Sequence, residues 1–187
     1  LTIIDNDTEN NTVDVDSGAD HTGTLTLTGG RADDTFTLTA PAGLETVTIN
    51  AAGQLSDVTI TVGTEDQTIT MGSGDDEVTF EAVEDLDEND TLDGGDGTDT
   101  LITGISADHT DELNSTNFEI LKIDADASHV FDITDSDEIT TVVLMSDDND
   151  DAIAGAATAA VIDLEADAIS TIRIEANSDD GAGAGAE

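Results

Sequence analysis

Polar and apolar residues alternate one for one in short runs along most of the chain. Thr24-Leu25-Thr26-Leu27 sets the pattern, and Thr35-Phe36-Thr37-Leu38, Thr46-Val47-Thr48-Ile49, Val58-Thr59-Ile60-Thr61-Val62, Thr68-Ile69-Thr70-Met71 and Val78-Thr79-Phe80 repeat it. A period of two in β-branched residues predicts strands buried on one face, with threonine on the wet face. Taking one inward apolar residue per strand gives Leu25, Phe36, Val47, Val58, Ile69 and Val78. Leu92, Leu101, Leu121, Phe131, Val142, Ile153, Ile162 and Ile172 continue the series. The steps cluster at 9 to 11 residues, with one step of 20 that leaves room for a weak strand near Thr110. A second repeat overlies the first. Leu44-Glu45-Thr46-Val47-Thr48-Ile49 is echoed by Phe118-Glu119-Ile120-Leu121-Lys122-Ile123, by Ile139 to Leu144 and by Ile169 to Ile174.

Fixed periods of this kind mark stacked supersecondary units. Two strands per coil predict an all-β, irregular β-solenoid with coils of 20 to 22 residues. β-Sandwich repeats are the alternative, because their strands also recur every 8 to 12 residues. Very short turns and the lack of a long crossover favour the solenoid. Helix is confined to weak candidates, 81–86 and the Ala-rich 151–160. The chain reads as one β-rich repeat region, 1–187, with the acidic loop 84–90 as its weak internal boundary. An initial Leu1 and a Gly/Ala end at 181–187 read as a segment of something longer. No uncharged stretch approaches the length of a membrane-spanning helix, and the start lacks the basic, apolar pattern of a signal peptide.

Charge changes this picture most. There are 45 Asp and Glu against 3 Lys and Arg, a formal net charge of −42. Such a surface repels nucleic acids and anionic membranes, which are held by Lys and Arg. With no Cys there is no disulfide, thiol catalyst or Cys-ligated metal. Low hydrophobic content and high charge are marks of disorder, but regular alternation of Val, Ile, Leu and Thr is not. The chain is foldable provided that something neutralises its carboxylates.

Gly94-Gly95-Asp96-Gly97-Thr98-Asp99-Thr100-Leu101 is the most specific stretch. It fits G-G-x-G-x-D-x-U, the calcium-binding repeat of RTX proteins. Glycines permit the tight turn, backbone carbonyls and the Asp supply hard oxygens, and calcium takes six to eight of these. Gly72-Ser73-Gly74-Asp75-Asp76-Glu77-Val78 is a copy with Met71 in place of the first Gly. Gly29-Gly30-Arg31-Ala32-Asp33-Asp34-Thr35-Phe36 is another, with Ala32 for the third Gly, and Asn149 to Ile153 is a decayed fourth. Counting along the chain, Asp34, Asp57, Asp76 and Asp99 fall about one coil apart and are expected to stack along one edge. Two carboxylates ~5 Å apart repel by roughly 3 kcal/mol at an effective dielectric of 20. A ladder of them needs cations, so the expected fold is a calcium-stabilised solenoid. The candidate ligands are Asp33, Asp34, Asp57, Gly72, Gly74, Asp75, Asp76, Gly95, Asp96, Gly97 and Asp99. A metal-free Asp/Gly turn is the simpler reading of any single copy.

Other chemistry is thin. Asp147 to Asp151 has the early oxygens of an EF-hand, but Ala152 stands where Gly is needed and Thr158 where Glu is needed. The cluster Glu84-Asp85-Leu86-Asp87-Glu88-Asn89-Asp90 has no motif spacing and reads as a solvated loop, with a calcium site as the lesser reading. His21, His109 and His129 are scattered, and no hydrolase, zinc-protease or P-loop motif occurs. No Trp or Tyr is present to hold a sugar ring. No catalytic centre is expected.

On the G-G-x-G-x-D copies, the Phe118-to-Ile123 type of strand entry and the Thr-rich, Cys-free, acidic composition, the chain resembles bacterial surface-layer proteins that carry RTX motifs and leave the cell by type I secretion. That resemblance implies an extracellular, cell-surface location, calcium-dependent folding and self-assembly into a lattice. The implied partners are copies of the chain itself and calcium ions, with cell-surface polysaccharide as a further candidate. Two alternatives stand beside it: a repeat of an RTX adhesin or extracellular filament, and the non-catalytic carrier domain of a secreted enzyme.

Overall fold

The structure is a computed structural model. It describes residues 2–5, 11–14, 23–29, 35–39, 47–62, 66–80, 86–105, 113–125, 129–133, 136, 138–145, 162–165 and 171–175. Sixteen strands lie among them. They are β1 (Thr2–Asp5), β2 (Asn11–Asp14), β3 (Gly23–Gly29), β4 (Thr35–Thr39), β5 (Val47–Gln54), β6 (Asp57–Val62), β7 (Gln67–Thr70) and β8 (Glu77–Phe80). The second half holds β9 (Thr91–Asp93), β10 (Thr100–Ile105), β11 (Ser115–Thr116), β12 (Ile120–Ala125), β13 (His129–Asp132), β14 (Thr141–Met145), β15 (Ile162–Glu165) and β16 (Thr171–Glu175). No helix occurs among the described residues.

Successive strands go to different sheets. One sheet runs β1-β3-β5-β7-β9-β11, and the other runs β2-β4-β6-β8-β10-β12-β14-β16. A third, two-stranded sheet pairs β13 with β15. Every described strand pairing is parallel. A chain that alternates between two parallel sheets is a β-solenoid with two strands per coil. The sandwich alternative, built on antiparallel pairs, is set aside by this pairing.

The alternating sequence explains the core. Ile60, Val78, Leu101, Leu121 and Val142 are consecutive partners across the eight-stranded sheet, and each is at most marginally exposed. Ile49, Ile69 and Leu92 form the facing column in the six-stranded sheet. Every inward residue predicted from sequence whose side chain is described is buried: Val58, Ile69, Val78, Leu92, Leu101, Leu121, Phe131 and Val142. Leu25, Phe36, Val47, Ile162 and Ile172 lie in strands whose side chains are not described there, and Ile153 lies outside the described residues. Thr110, where a weak strand is expected, lies outside the described residues; the two-residue β11 follows it at Ser115–Thr116.

Coils differ in length. Register partners sit 18 residues apart at Val58 and Asp76, 23 at Asp76 and Asp99, and 20 at Asp99 and Glu119. The extra residues go into the turns, so the apolar columns stay in register. Because Leu121 has well-packed neighbours above and below, Leu121→Ala opens a cavity that the parallel stack cannot collapse around. The expected cost is about 2–5 kcal/mol, read as a lower urea midpoint at unchanged slope.

Candidate functional site

Three consecutive turns stack along one edge of the solenoid, connecting β5 to β6, β7 to β8 and β9 to β10. The last two are Gly72 to Asp76 and Gly94 to Asp99, and they bond to each other as a short parallel bridge between Ser73 and Asp96. Gly74 N–H donates to the Asp96 carbonyl at 3.0 Å, and Asp96 N–H donates to the Gly72 carbonyl at 2.9 Å. Gly95 has φ +94° and Gly97 has φ +151°, which L side chains seldom adopt. A Cβ on Gly97 would fall 1.8 Å from the Gly74 carbonyl oxygen. The glycine spacing therefore lets one turn lie backbone-to-backbone on the next.

Two ladders of carboxylates flank these turns. In the first, Asp75 N–H donates to Asp57 Oδ1 at 2.9 Å, and Thr98 N–H donates to Asp75 Oδ1 at 3.0 Å. Each carboxylate here holds the coil that follows it. In the second, Val58 N–H donates to Asp76 Oδ1 at 2.8 Å, Asp76 N–H to Asp99 Oδ1 at 2.7 Å, and Asp99 N–H to Glu119 Oε2 at 2.8 Å. Each carboxylate there holds the coil that precedes it. Asp57 thus stands beside Asp75, one position away from the column of Asp76 and Asp99. Counting along the sequence puts Asp57 in that column; the turn after β5 is shorter than the turn after β7, which shifts it. Asp33 and Asp34 lie outside the described residues, as do Gly30 to Ala32 and the decayed copy at 149–153.

Asp76 is 1% exposed and Asp99 is fully buried, yet no described cation faces either. Burial pushes the Asp99 carboxyl up to about 7, helped by the charges of Asp76, Glu119 and Asp75 and opposed by the bond from Asp76 N–H. Burial pushes Asp76 up to about 6, with bonds from Val58 and Gly72 pulling it down and Asp57 and Asp75 pushing it up. Asp99 Oδ2 is buried without a hydrogen-bond partner. A buried, unpartnered oxygen costs free energy, and this one is an acceptor that wants a positive charge. Gln54 Oε1, buried on the same edge, is also unpartnered while Gln54 Nε2 donates to Ser56 Oγ at 2.8 Å.

Among the described residues no three carboxylate or imidazole side chains converge to hold an ion. A cation at Asp99 would therefore have to draw on backbone carbonyls of the glycine turns as well, a donor set that suits calcium. Gly95, Asp96 and Gly97 line the turn, and the Asp96 side chain is exposed. The lone described ion pair, Lys122 to Glu77 at 3.2 Å, is about one-third exposed on each side and contributes less than about 1 kcal/mol.

Sequence reasoning missed Glu119 and Asp90. Glu119 sits in a turn without glycines, so no motif marks it, yet its carboxylate closes the second ladder. Asp90 belongs to the segment expected to be a solvated loop; it is instead 1% exposed, accepting Gln67 N–H at 2.8 Å and Asp87 N–H at 2.8 Å. Its position one residue before β9 is the available signal: a strand entry with a short acceptor caps the coil below. Burial raises its carboxyl to about 6, with Asp87 and Asp66 adding to the rise.

The raised carboxyls fix a pH dependence. Their folded values lie above the unfolded value of about 3.9, so the folded state binds protons more tightly between about pH 4 and 7. Stability from these groups is present at about pH 4 and is lost as pH rises to 7, at up to ~1.4 kcal/mol per unit of displacement. In EDTA, the urea midpoint is expected to rise as pH falls from 7.5 to 5. Asp99→Asn is expected to raise the midpoint at pH 7.5 and to shrink the gain on acidification. An equal gain in the variant would mean that Asp99 is not the group that titrates.

Comparison with known proteins yields no matching family model, no similar curated protein and no similar solved structure. The likeness to surface-layer proteins therefore rests on the turn motifs, the strand entries and the composition. What fold and site define together is an acidic, parallel β-solenoid with stacked Asp/Gly turns on one edge.

Proposed function

We propose that this chain is a calcium-binding structural part of an extracellular, cell-surface protein that assembles with copies of itself. The observation that carries the reading is Asp99: a fully buried carboxylate with one oxygen unpartnered, between two further carboxylates, in a chain of net charge −42. Calcium at this edge would neutralise the column and supply what Asp99 Oδ2 lacks. Calcium would also screen the acidic surfaces of neighbouring copies, which otherwise repel. β1, the end strand of its sheet, carries Ile4 at 60% exposure, and an exposed strand edge is a template for pairing with another chain. The role is structural rather than catalytic. Among the described residues no helix is long and apolar enough to cross a membrane.

The test is light scattering and electron microscopy of the purified chain in millimolar calcium and in EDTA. Ordered sheets or filaments that appear with calcium and dissolve in EDTA are the expected result. Monodisperse monomers at high protein concentration in millimolar calcium would contradict self-assembly and put the carrier-domain alternative ahead.

A further inference from the structure

The outer face of the six-stranded sheet carries a regular array that the calcium reading does not use. One rank across the strands is Thr48, Thr68, Thr91 and Asn114. The second rank, two residues further along each strand, is Thr2, Thr26, Asn50, Thr70, Asp93 and Thr116. Their inward neighbours Leu27, Ile49, Ile69 and Leu92 are each 1% exposed, so the ranks face outward. Thr68, Thr91, Asn114 and Thr116 are exposed, and Thr26, Thr48 and Thr70 are half-buried.

Two features of this face bear on its partner, and the second sets it apart. It is periodic in two dimensions: strands lie ~4.8 Å apart, and alternate residues along a strand lie roughly 6.6 Å apart. It is also nearly uncharged: Asp93 is the one acid in the two ranks, in a chain with 45 acids, and Asp66 stands exposed at the border, two residues before Thr68. The Asp93 carboxylate is turned to its own coil neighbours, accepting Gly95 N–H at 3.2 Å and Asn117 Nδ2 at 2.8 Å. The other sheet shares the periodicity but not the neutrality. Its outward ranks hold Thr37, Thr39, Thr59, Thr61, Thr79 and Thr100, but they also carry Glu77, Ile102 and Lys122, with the Lys122–Glu77 ion pair across them.

We propose that this threonine face binds the surface of ice. The partner must be uncharged, flat and itself periodic. Prism faces of hexagonal ice also present water oxygens on a rectangle, matched more closely across the strands than along them. A threonine offers lattice water a hydroxyl and a methyl that orders the water between ranks, although Thr116 Oγ1 also donates to the Leu92 carbonyl at 3.4 Å and Thr91 Oγ1 accepts from Asn114 Nδ2 at 3.1 Å. Because threonine is β-branched, its χ1 is stiff, and the parallel register holds the ranks in place before binding. Little entropy is lost when the lattice docks. Crystalline polysaccharide would meet the same periodicity, but flat sugar rings are held by stacking on aromatic rings, and the chain has no Trp or Tyr. A second copy would have to bury two hydroxyl-covered faces with little apolar area to gain. The inference rests on strand register alone and stands whether or not calcium occupies the turns.

The experiment is ice-affinity partitioning of the full chain, in a buffer where circular dichroism shows its strands formed, with Thr68→Lys, Thr91→Lys and, on the other sheet, Thr61→Lys. The wild type and Thr61→Lys are expected to enrich in slowly grown ice. Thr68→Lys and Thr91→Lys are expected to stay in the liquid with a non-binding control protein while keeping their strand signal. Exclusion of the folded wild type from ice overturns the proposal. Undiminished partitioning of both Thr68→Lys and Thr91→Lys overturns it as well. Adsorption of the wild type to cellulose or chitin without enrichment in ice would assign the face to polysaccharide. A dimer in sedimentation that Thr68→Lys dissociates, again without ice enrichment, would assign it to self-association.

Discussion

Calcium is expected to raise the unfolding temperature of the chain by about 5–10 °C per occupied site. The figure follows from ~2.7 kcal/mol of stabilisation at a calcium concentration one hundred times the dissociation constant, at roughly 2–4 °C per kcal/mol for a domain of this size. The motivation is local and global together. Asp99 and Asp76 are buried as carboxylates, with Asp57, Asp75 and Glu119 close by, and the formal charge is −42. Thermal melts by far-UV circular dichroism in millimolar calcium and in EDTA read the shift. Magnesium should do less, because it demands a tighter octahedron and sheds water reluctantly. Asp99→Asn separates site binding from general screening: it should lose most of the calcium shift while melting no lower than wild type in EDTA. Equal shifts from calcium in wild type and variant would mean that calcium acts on the surface at large.

Gly97→Ala is expected to be the most damaging single substitution in the turn stack, costing about 4 kcal/mol or more and placing it in the rare severe class. The new Cβ would meet the Gly74 carbonyl at 1.8 Å, a backbone atom that cannot swing aside, at φ +151°. Relief requires the two turns to separate, which breaks the Gly74-to-Asp96 bond and with it the register of Asp76 on Asp99. Gly53→Ala is the control. Its Cβ would meet the Thr28 methyl at 3.1 Å, and a side chain can yield, so the change should stay within about 1 kcal/mol. Urea midpoints of both variants in calcium check the contrast. Comparable losses at Gly97 and Gly53 would show that the turn stack is not what holds the coils together.

Much of the fold was legible because alternation is local. Thr68-Ile69-Thr70 and Val58-Thr59-Ile60 announce both their strands and their inward faces, and the buried columns follow. Parallel against antiparallel pairing is not local: it depends on which strand returns beside which, and the spacing of Val47, Val58 and Ile69 fits both. The site was legible where glycine punctuates it, at Gly72 to Asp76 and Gly94 to Asp99. It was misregistered where turn length varies, since counting from Asp34 to Asp57 to Asp76 assumes coils of equal size. Asp57 consequently falls beside Asp75. Glu119 escaped because a longer side chain on a shorter turn reaches the same backbone N–H that an Asp reaches in a glycine turn.

Calcium at the buried Asp99 carboxylate is tested most directly by a crystal structure of the chain grown in millimolar calcium, with anomalous differences collected to locate the ions. The expected result is a calcium ion about 2.3–2.6 Å from Asp99 Oδ2, completed by backbone carbonyls of the Gly72–Asp76 and Gly94–Asp99 turns, inside two parallel sheets. A calcium-saturated crystal with only water, or nothing, at Asp99 Oδ2 would contradict it.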